Sequence, residues 1–196
     1  MTHKYTYSVK LTPHIFICIL SGVFINVLGH NITYALHAPV WLDSIGTILC
    51  SCLLGPVAGS ITGILGTILC QINTPLLWLY AISNLPIAIG TSMLYQRTKL
   101  RSTFQLVCSG VLIMLFSTII SVPLNMLLRD GYIGNIWGNA LVDMLLQNGN
   151  HPTFCCVLGQ LFIELPDKIL VVFLSHFLIK LFFIIHKKRK RRCVKK

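Results

Sequence analysis

The chain has 196 residues, of which 55% are hydrophobic and only 11% charged, with a mean hydropathy of +0.77. That balance excludes a soluble domain: apolar runs long enough to cross a bilayer recur, and the charges fall between them. The net charge of +11 does not point to nucleic acid, because half of the sixteen Lys and Arg follow His186, where a basic run is the ordinary cytoplasmic flank of a membrane span and a holder of anionic lipid headgroups.

Taken in order, the chain predicts an all-α polytopic membrane protein: one domain, a six-helix transmembrane bundle with both termini cytoplasmic. Lys4 and Lys10 before an apolar run look superficially like a secretory signal. No small-x-small cleavage site follows, so the run reads as a first span, about 13–28, opened by Pro13. On it Cys18, Gly22 and Asn26 lie four apart, a face suited to packing in the bundle or to docking another membrane protein. Residues 29–40 carry no Lys, Arg, Asp or Glu and read as an outer loop, in which Asn31-Ile32-Thr33 is a weak glycosylation match. Two short spans follow, about 41–54 and 57–70, turning at Gly55-Pro56. Neither reaches across about 30 Å at 1.5 Å per residue, and short helices at membrane depth need cover from protein or line a cavity. Gly55, Gly59 and Gly63 recur every four residues, with Gly66 and Thr67 near the same stripe, which predicts close helix contact.

After an uncharged turn at 71–75 comes a fourth span, about 76–95, with a kink expected at Pro86. Arg97, Lys99 and Arg101 precede a fifth span, about 103–128, which carries Pro123 and Asn125. The polar stretch 129–152 reads as an outer loop with a short helix over 137–146. The sixth span, about 153–185, is interrupted chemically by Glu164-Leu165-Pro166-Asp167-Lys168, and a basic tail covers 187–196. With both termini inside, every positive cluster falls inside and the uncharged loops fall outside.

Ionisable residues within spans are costly, about 2.5–3.5 kcal/mol each, and are functional candidates for that reason. Here they are Glu164, Asp167 and Lys168, with Asp43 at the entrance of the second span. Glu164 and Lys168 are four apart and pair on one helix face, leaving Asp167 to meet another helix. Aromatic and amide residues gather on the same outer side: Trp41, Asn73, Trp78, Asn84, Asn125, Trp137, Asn139 and His151. Tryptophans also mark the interface belt, whereas Asn84 and Asn125 need polar partners inside a bundle. Glu164, Asp167, Lys168, Asn84, Asn125, Trp78, Trp137 and Asp43 form the predicted substrate site. Rings, amides and a few charges suit a small planar polar molecule. A neutralised packing cluster is the alternative for the charged residues, and for Asp43 a structural cap.

Eight cysteines sit mostly inside apolar runs with no C-x-x-C, which argues against metal or redox chemistry. No phosphate-binding G-x-x-x-x-G-K loop, H-E-x-x-H or G-x-S-x-G occurs. The reading is of a protein that is not an enzyme and needs no cofactor.

The segments L-D-S-I-G-T-I-L, G-P-V-A-G-S-I-T-G-I-L-G-T and E-L-P-D-K-I-L resemble the substrate-binding S components of energy-coupling factor (ECF) transporters, across essentially the whole chain. The resemblance implies a cell-membrane protein, in bacteria, that captures a vitamin or related micronutrient from outside. It implies partners too: a membrane coupling subunit and two cytoplasmic ATPases of an ECF-type importer. It places the binding site at the outer side, with last-span polar residues, here Glu164, Asp167 and Lys168, on the substrate. The family's first-span alanine-x-x-x-alanine face is replaced by Cys18, Gly22 and Asn26. A ligand sensor signalling through a partner is the alternative function.

Overall fold

The computed structural model describes the backbone of residues 13–99 and 102–193, and the side chains of all of these except 183 and 185–193. Lys4, Lys10, Arg101 and the side chains of the basic run 187–196 lie outside the described residues. Those described form seven α-helices and one 3₁₀ segment, with no strand among them: α1 (Pro13–Ala35), α2 (Ile45–Leu54), α3 (Pro56–Cys70), the 3₁₀ segment Pro75–Ser83, α4 (Asn84–Thr98), α5 (Thr103–Leu128), α6 (Ile136–Gln147) and α7 (Pro152–Cys193).

Three segments are long and apolar enough to cross a membrane: Pro13–Ala35, Pro75–Thr98 and Thr103–Leu128. Their outward faces are apolar, as Phe16, Ile17, Leu20 and Phe24 on α1 show. Helices α2 and α3, of 10 and 15 residues, reach only about 15 and 22 Å at 1.5 Å per residue. They are covered by their neighbours, α2 packing on α1, α3, α4 and α7.

Close approach explains the glycines. A Cβ on Gly46 would run into the backbone of Gly22, so α1 and α2 cross backbone to backbone. Along α3, Gly59 faces Ser51, Gly63 faces Asn84 and Gly66 faces Asn26. Gly22 and Asn26 are therefore buried inside the bundle, while Cys18 on the same helix is exposed. The apolar core joins Ile45, Ile48, Ile87, Leu106, Ile113, Val171 and Val172.

A ladder of buried amides and hydroxyls runs beside that core. The Asn26 side-chain carbonyl accepts from Gly46 N–H at 2.7 Å, and its Nδ2 donates to Thr47 Oγ1 at 3.0 Å. Thr47 reaches Asn84 Oδ1 at 3.5 Å, and Asn84 Nδ2 donates to Thr67 Oγ1 at 2.9 Å. Four elements are thus tied by groups that would be costly to leave unpaired in an apolar interior.

Several boundaries differ from the sequence reading. The first helix does not stop at 28 but runs to Ala35 through most of the expected loop, because its polar residues bond inward. Asn31 Nδ2 donates to Val27 O, and Thr33 Oγ1 lies within bonding distance of the Gly29, His30 and Trp41 carbonyls. The helical Asn31 and buried Thr33 also remove the extended loop that a glycosylation site needs. Helix α2 starts at Ile45 rather than 41. Pro86 does not kink the fourth segment: it lies in the first turn of α4, where an N–H has no helical partner to lose. The break comes earlier, where 3₁₀ geometry passes into α at Asn84. Helix α7 runs unbroken past Pro166, whose ring removes the amide that would reach the Phe162 carbonyl. The short helix expected over 137–146 is α6.

Candidate functional site

Two polar stripes face each other across the α5–α7 contact. On α5 they are Ser117, Ser121 and Asn125; on α7, Gln160, Glu164 and Lys168, in each case four residues apart and so on one helix face. Ser117 Oγ donates to Glu164 Oε1 at 3.0 Å, and Asn125 Nδ2 donates to Gln160 Oε1 at 2.8 Å. Gln160 Nε2 donates to Glu164 Oε1 at 3.0 Å, and Tyr80 Oη to Asn125 Oδ1 at 2.6 Å. A continuous relay, Tyr80–Asn125–Gln160–Glu164, therefore lines one wall. Thr67, Cys70 and Gln71 from the end of α3, with Ser83 and Asn84, form the opposite wall. Between them lies a cavity of about 90 Å³, several times the space one water needs.

Its charged end is built on one turn of α7. Lys168 is 2% exposed, Glu164 4% and Asp167 0%. Lys168 Nζ donates to Asp167 Oδ2 at 2.6 Å and to Ser44 Oγ at 3.4 Å. It stands 3.2 Å from Glu164 Oε2 and 3.9 Å from Asp43 Oδ1. Glu164 Oε2 is buried and, though within ion-pair distance, receives no aligned hydrogen bond. Asp167 faces away from the cavity: its Oδ1 accepts from the backbone N–H groups of Trp41 at 2.9 Å and Leu42 at 2.8 Å. It is a cap for the turn that leads into α2.

Of the residues expected at the site, Glu164, Lys168, Asn84, Asn125 and Asp43 line the cavity. Asp167, Trp78 and Trp137 do not. Trp78 and Trp137 are 40% and 53% exposed, and each indole N–H is used on a loop carbonyl, Gln71 O and His37 O respectively. Asn139, also gathered on this side, bonds the Ile133 and Gly134 amides and shapes the turn before α6.

The sequence reading missed Tyr80, Gln160, Ser117, Ser121, Arg129 and His30 as cavity residues. The stripe signal existed for three of them: Ser117 and Ser121 lie at four-residue spacing with Asn125, as Gln160 does with Glu164. Arg129 reads from sequence only as the first residue of the polar outer loop, whereas its guanidinium lies 5.7 Å from the centre of the Tyr80 ring. Comparison with known protein families, curated proteins and solved structures finds no match.

The ring of Trp41 lies parallel to His30, centroids 6.4 Å apart. Both residues also line a second cavity, of about 180 Å³, bounded by Tyr34, His37, Gly134 and Asn135. Asn135 Nδ2 closes it by donating to Ala38 O at 3.0 Å. The Trp41–His30 pair thus stands between an inner charged cavity and an outer one. Among the described residues no group of three His, Cys, Asp or Glu could hold a metal ion.

Proposed function

We propose that this chain is a membrane-embedded solute-binding subunit that captures a small polar, vitamin-like molecule and hands it to partner subunits for ATP-driven uptake, as an S component of an ECF-type importer does. The supporting observation is the cavity itself. A bundle with an apolar exterior maintains Glu164, Lys168, Gln160, Asn125 and Tyr80 around an open space. Buried polar groups cost stability unless paired, and an apolar wall would fold more simply. Intramembrane ionisable residues around a cavity are the usual mark of a solute path.

Placing the loops 96–101 and the 187–196 run in the cytoplasm sets six crossings and puts the Gln71, Arg129 and Trp41 end of the cavity outside, in a bacterial plasma membrane. A vitamin-sized solute needs roughly 300 Å³ or more. Displacing the Trp41–His30 pair joins the two cavities and supplies much of that room. Helices α2 and α3, with a tight backbone crossing to α1, form a rigid support for the site, and the partner subunits engage the apolar exterior.

The test is purification followed by mass spectrometry of the solutes released on denaturation, from wild type and from Lys168→Ala. A specific small molecule retained by wild type and absent from the variant is the expected result, together with uptake of that molecule in cells that also carry a coupling subunit and two ATPases. A protein that never retains a solute and adds nothing to uptake refutes the proposal.

A further inference from the structure

The two ends of the inner cavity differ in what they offer a solute. At the Glu164 end the Lys168 ammonium is enclosed by protein oxygens. Lys168 has three ammonium protons, and its neighbours are Asp167 Oδ2, Ser44 Oγ and Glu164 Oε2, at 2.6, 3.4 and 3.2 Å. Two of the protons are bonded, to Asp167 and Ser44, and the third side of the ammonium is turned to Glu164 Oε2 as an ion pair without an aligned bond. Acceptors, by contrast, are in surplus. Glu164 Oε2 is buried with no aligned donor, and Asp43 has only a 3.9 Å ion-pair contact, too long for a hydrogen bond. Three carboxylates therefore surround one ammonium, and two of them, Glu164 and Asp43, line the cavity. Arg129 does not balance them. It lies over the Tyr80 ring, separated from Glu164 by the Tyr80–Asn125–Gln160 relay, and no described carboxylate lies within 4.0 Å of it.

From this geometry we propose that the solute is an organic cation, an ammonium or a cationic heteroaromatic ring. Its positive, N–H-bearing or ring-cation end lies against Glu164 Oε2 and Asp43, and its hydrogen-bond-accepting end faces Arg129. The inference rests on the solute-binding function proposed above and names its substrate class. A cation at that position supplies the missing counter-charge and, for the buried Glu164 Oε2, the missing donor.

The experiment measures thermal stabilisation of the purified protein by three probes of one size: benzylamine, benzyl alcohol and benzoate. Benzylamine, the cation, is expected to stabilise more than the other two. Its dissociation constant is expected to weaken about 10- to 100-fold in Glu164→Gln, the scale of one charged hydrogen bond, and to weaken also in Asp43→Asn, a half-exposed position that tolerates the change. Equal effects of the three probes, a preference for benzoate, no effect of any, or the same stabilisation by sodium or potassium chloride alone would overturn the inference. Mass spectrometry separates the two ideas. A neutral or anionic solute retained by the wild-type protein defeats the cation assignment and leaves the solute-binding function standing, whereas no retained solute and no uptake defeats the function itself.

Discussion

Replacing Lys168 by Met keeps the length of the side chain and removes one charge. Its ammonium is the counter-ion of Asp167 and Glu164, all three are no more than 4% exposed, and Asp167 is fully buried. Breaking a buried ion pair by deleting one partner costs about 3–5 kcal/mol, because the other charge stays behind unpaired. Two carboxylates are stranded here, which puts the loss at the upper end of that range. At roughly 2–4 °C per kcal/mol for a chain of this size, the melting midpoint should fall by roughly 10–20 °C. The protein carries its own reporters: Cys50, Cys155 and Cys156 are buried free thiols, so a thiol-reactive fluorogenic dye reads unfolding in detergent without added labels. Two controls separate the mechanism from general damage. Lys168→Met combined with Glu164→Gln and Asp167→Asn should recover most of the loss, since no charge is then stranded. Asp43→Asn, at a 38% exposed side chain 3.9 Å from Lys168, should change the midpoint by only a few degrees. A Lys168→Met protein that melts within about 3 °C of wild type, or a triple variant no better than the single, would refute the reasoning.

Four further outcomes follow from other parts of the molecule. Gly46→Ala drives a methyl into the Gly22 backbone and should abolish folding or cost well over 3 kcal/mol, whereas Gly149→Ala, at φ +78° in open space, should cost only about 1–2 kcal/mol; the same thiol assay compares them. Asn26→Leu removes the partners of Gly46 N–H and Thr47, and should destabilise by about 2–4 kcal/mol, visible as a lower melting midpoint. The Tyr132 hydroxyl donates to Asp143 at 2.8 Å, a bond that with the carboxylate charge raises the phenol above its ordinary value. Because the folded state holds that proton more tightly, the contribution is complete below about pH 10 and is lost as pH rises through the raised value; an ultraviolet titration should show the midpoint dropping back in Asp143→Asn. For orientation, cysteines introduced at the exposed Asn148 and Ser102 in a background lacking the reactive native thiols should react with an impermeant maleimide from outside and only after permeabilisation, respectively; the reverse pattern inverts the proposed topology.

Much of the bundle was legible because apolar length and glycine spacing are properties of the chain alone. The Glu164–Lys168 pair follows from helical pitch, and the structure places the two charges 3.2 Å apart. Asn84 and Asn125 stood out because an amide inside an apolar run needs partners, which they have. What could not be read depends on which helix faces which. Ser117 and Ser121 look like ordinary small residues of α5 until α7 is set against them. Asp167, on the same turn as a cavity residue, is directed by the rotation of α7 to the Trp41 and Leu42 amides instead. The tryptophans misled for a similar reason, since an indole marks either a pocket or a rim, and loop carbonyls claimed Trp78 and Trp137. Helix α1 overran its expected end because Gly29 serves close approach to the Leu42 backbone rather than a turn, and Thr33 lies within bonding distance of nearby carbonyls.

Leu42 is held at φ +51°, a left-handed backbone that a branched side chain adopts at a cost of about 1–2 kcal/mol. The two amides on Asp167 Oδ1 are what secure it, and Asp167 is secured in turn by Lys168. The ammonium therefore works as the middle bead of a balance, with the cavity carboxylate on one side and a sprung backbone on the other. One ammonium thus serves both the cavity carboxylate and the carboxylate that holds the Leu42 amide. A substitution that removes the Lys168 charge is therefore expected to slacken the Trp41–Leu42 turn as well as to leave Glu164 unpaired in the cavity wall.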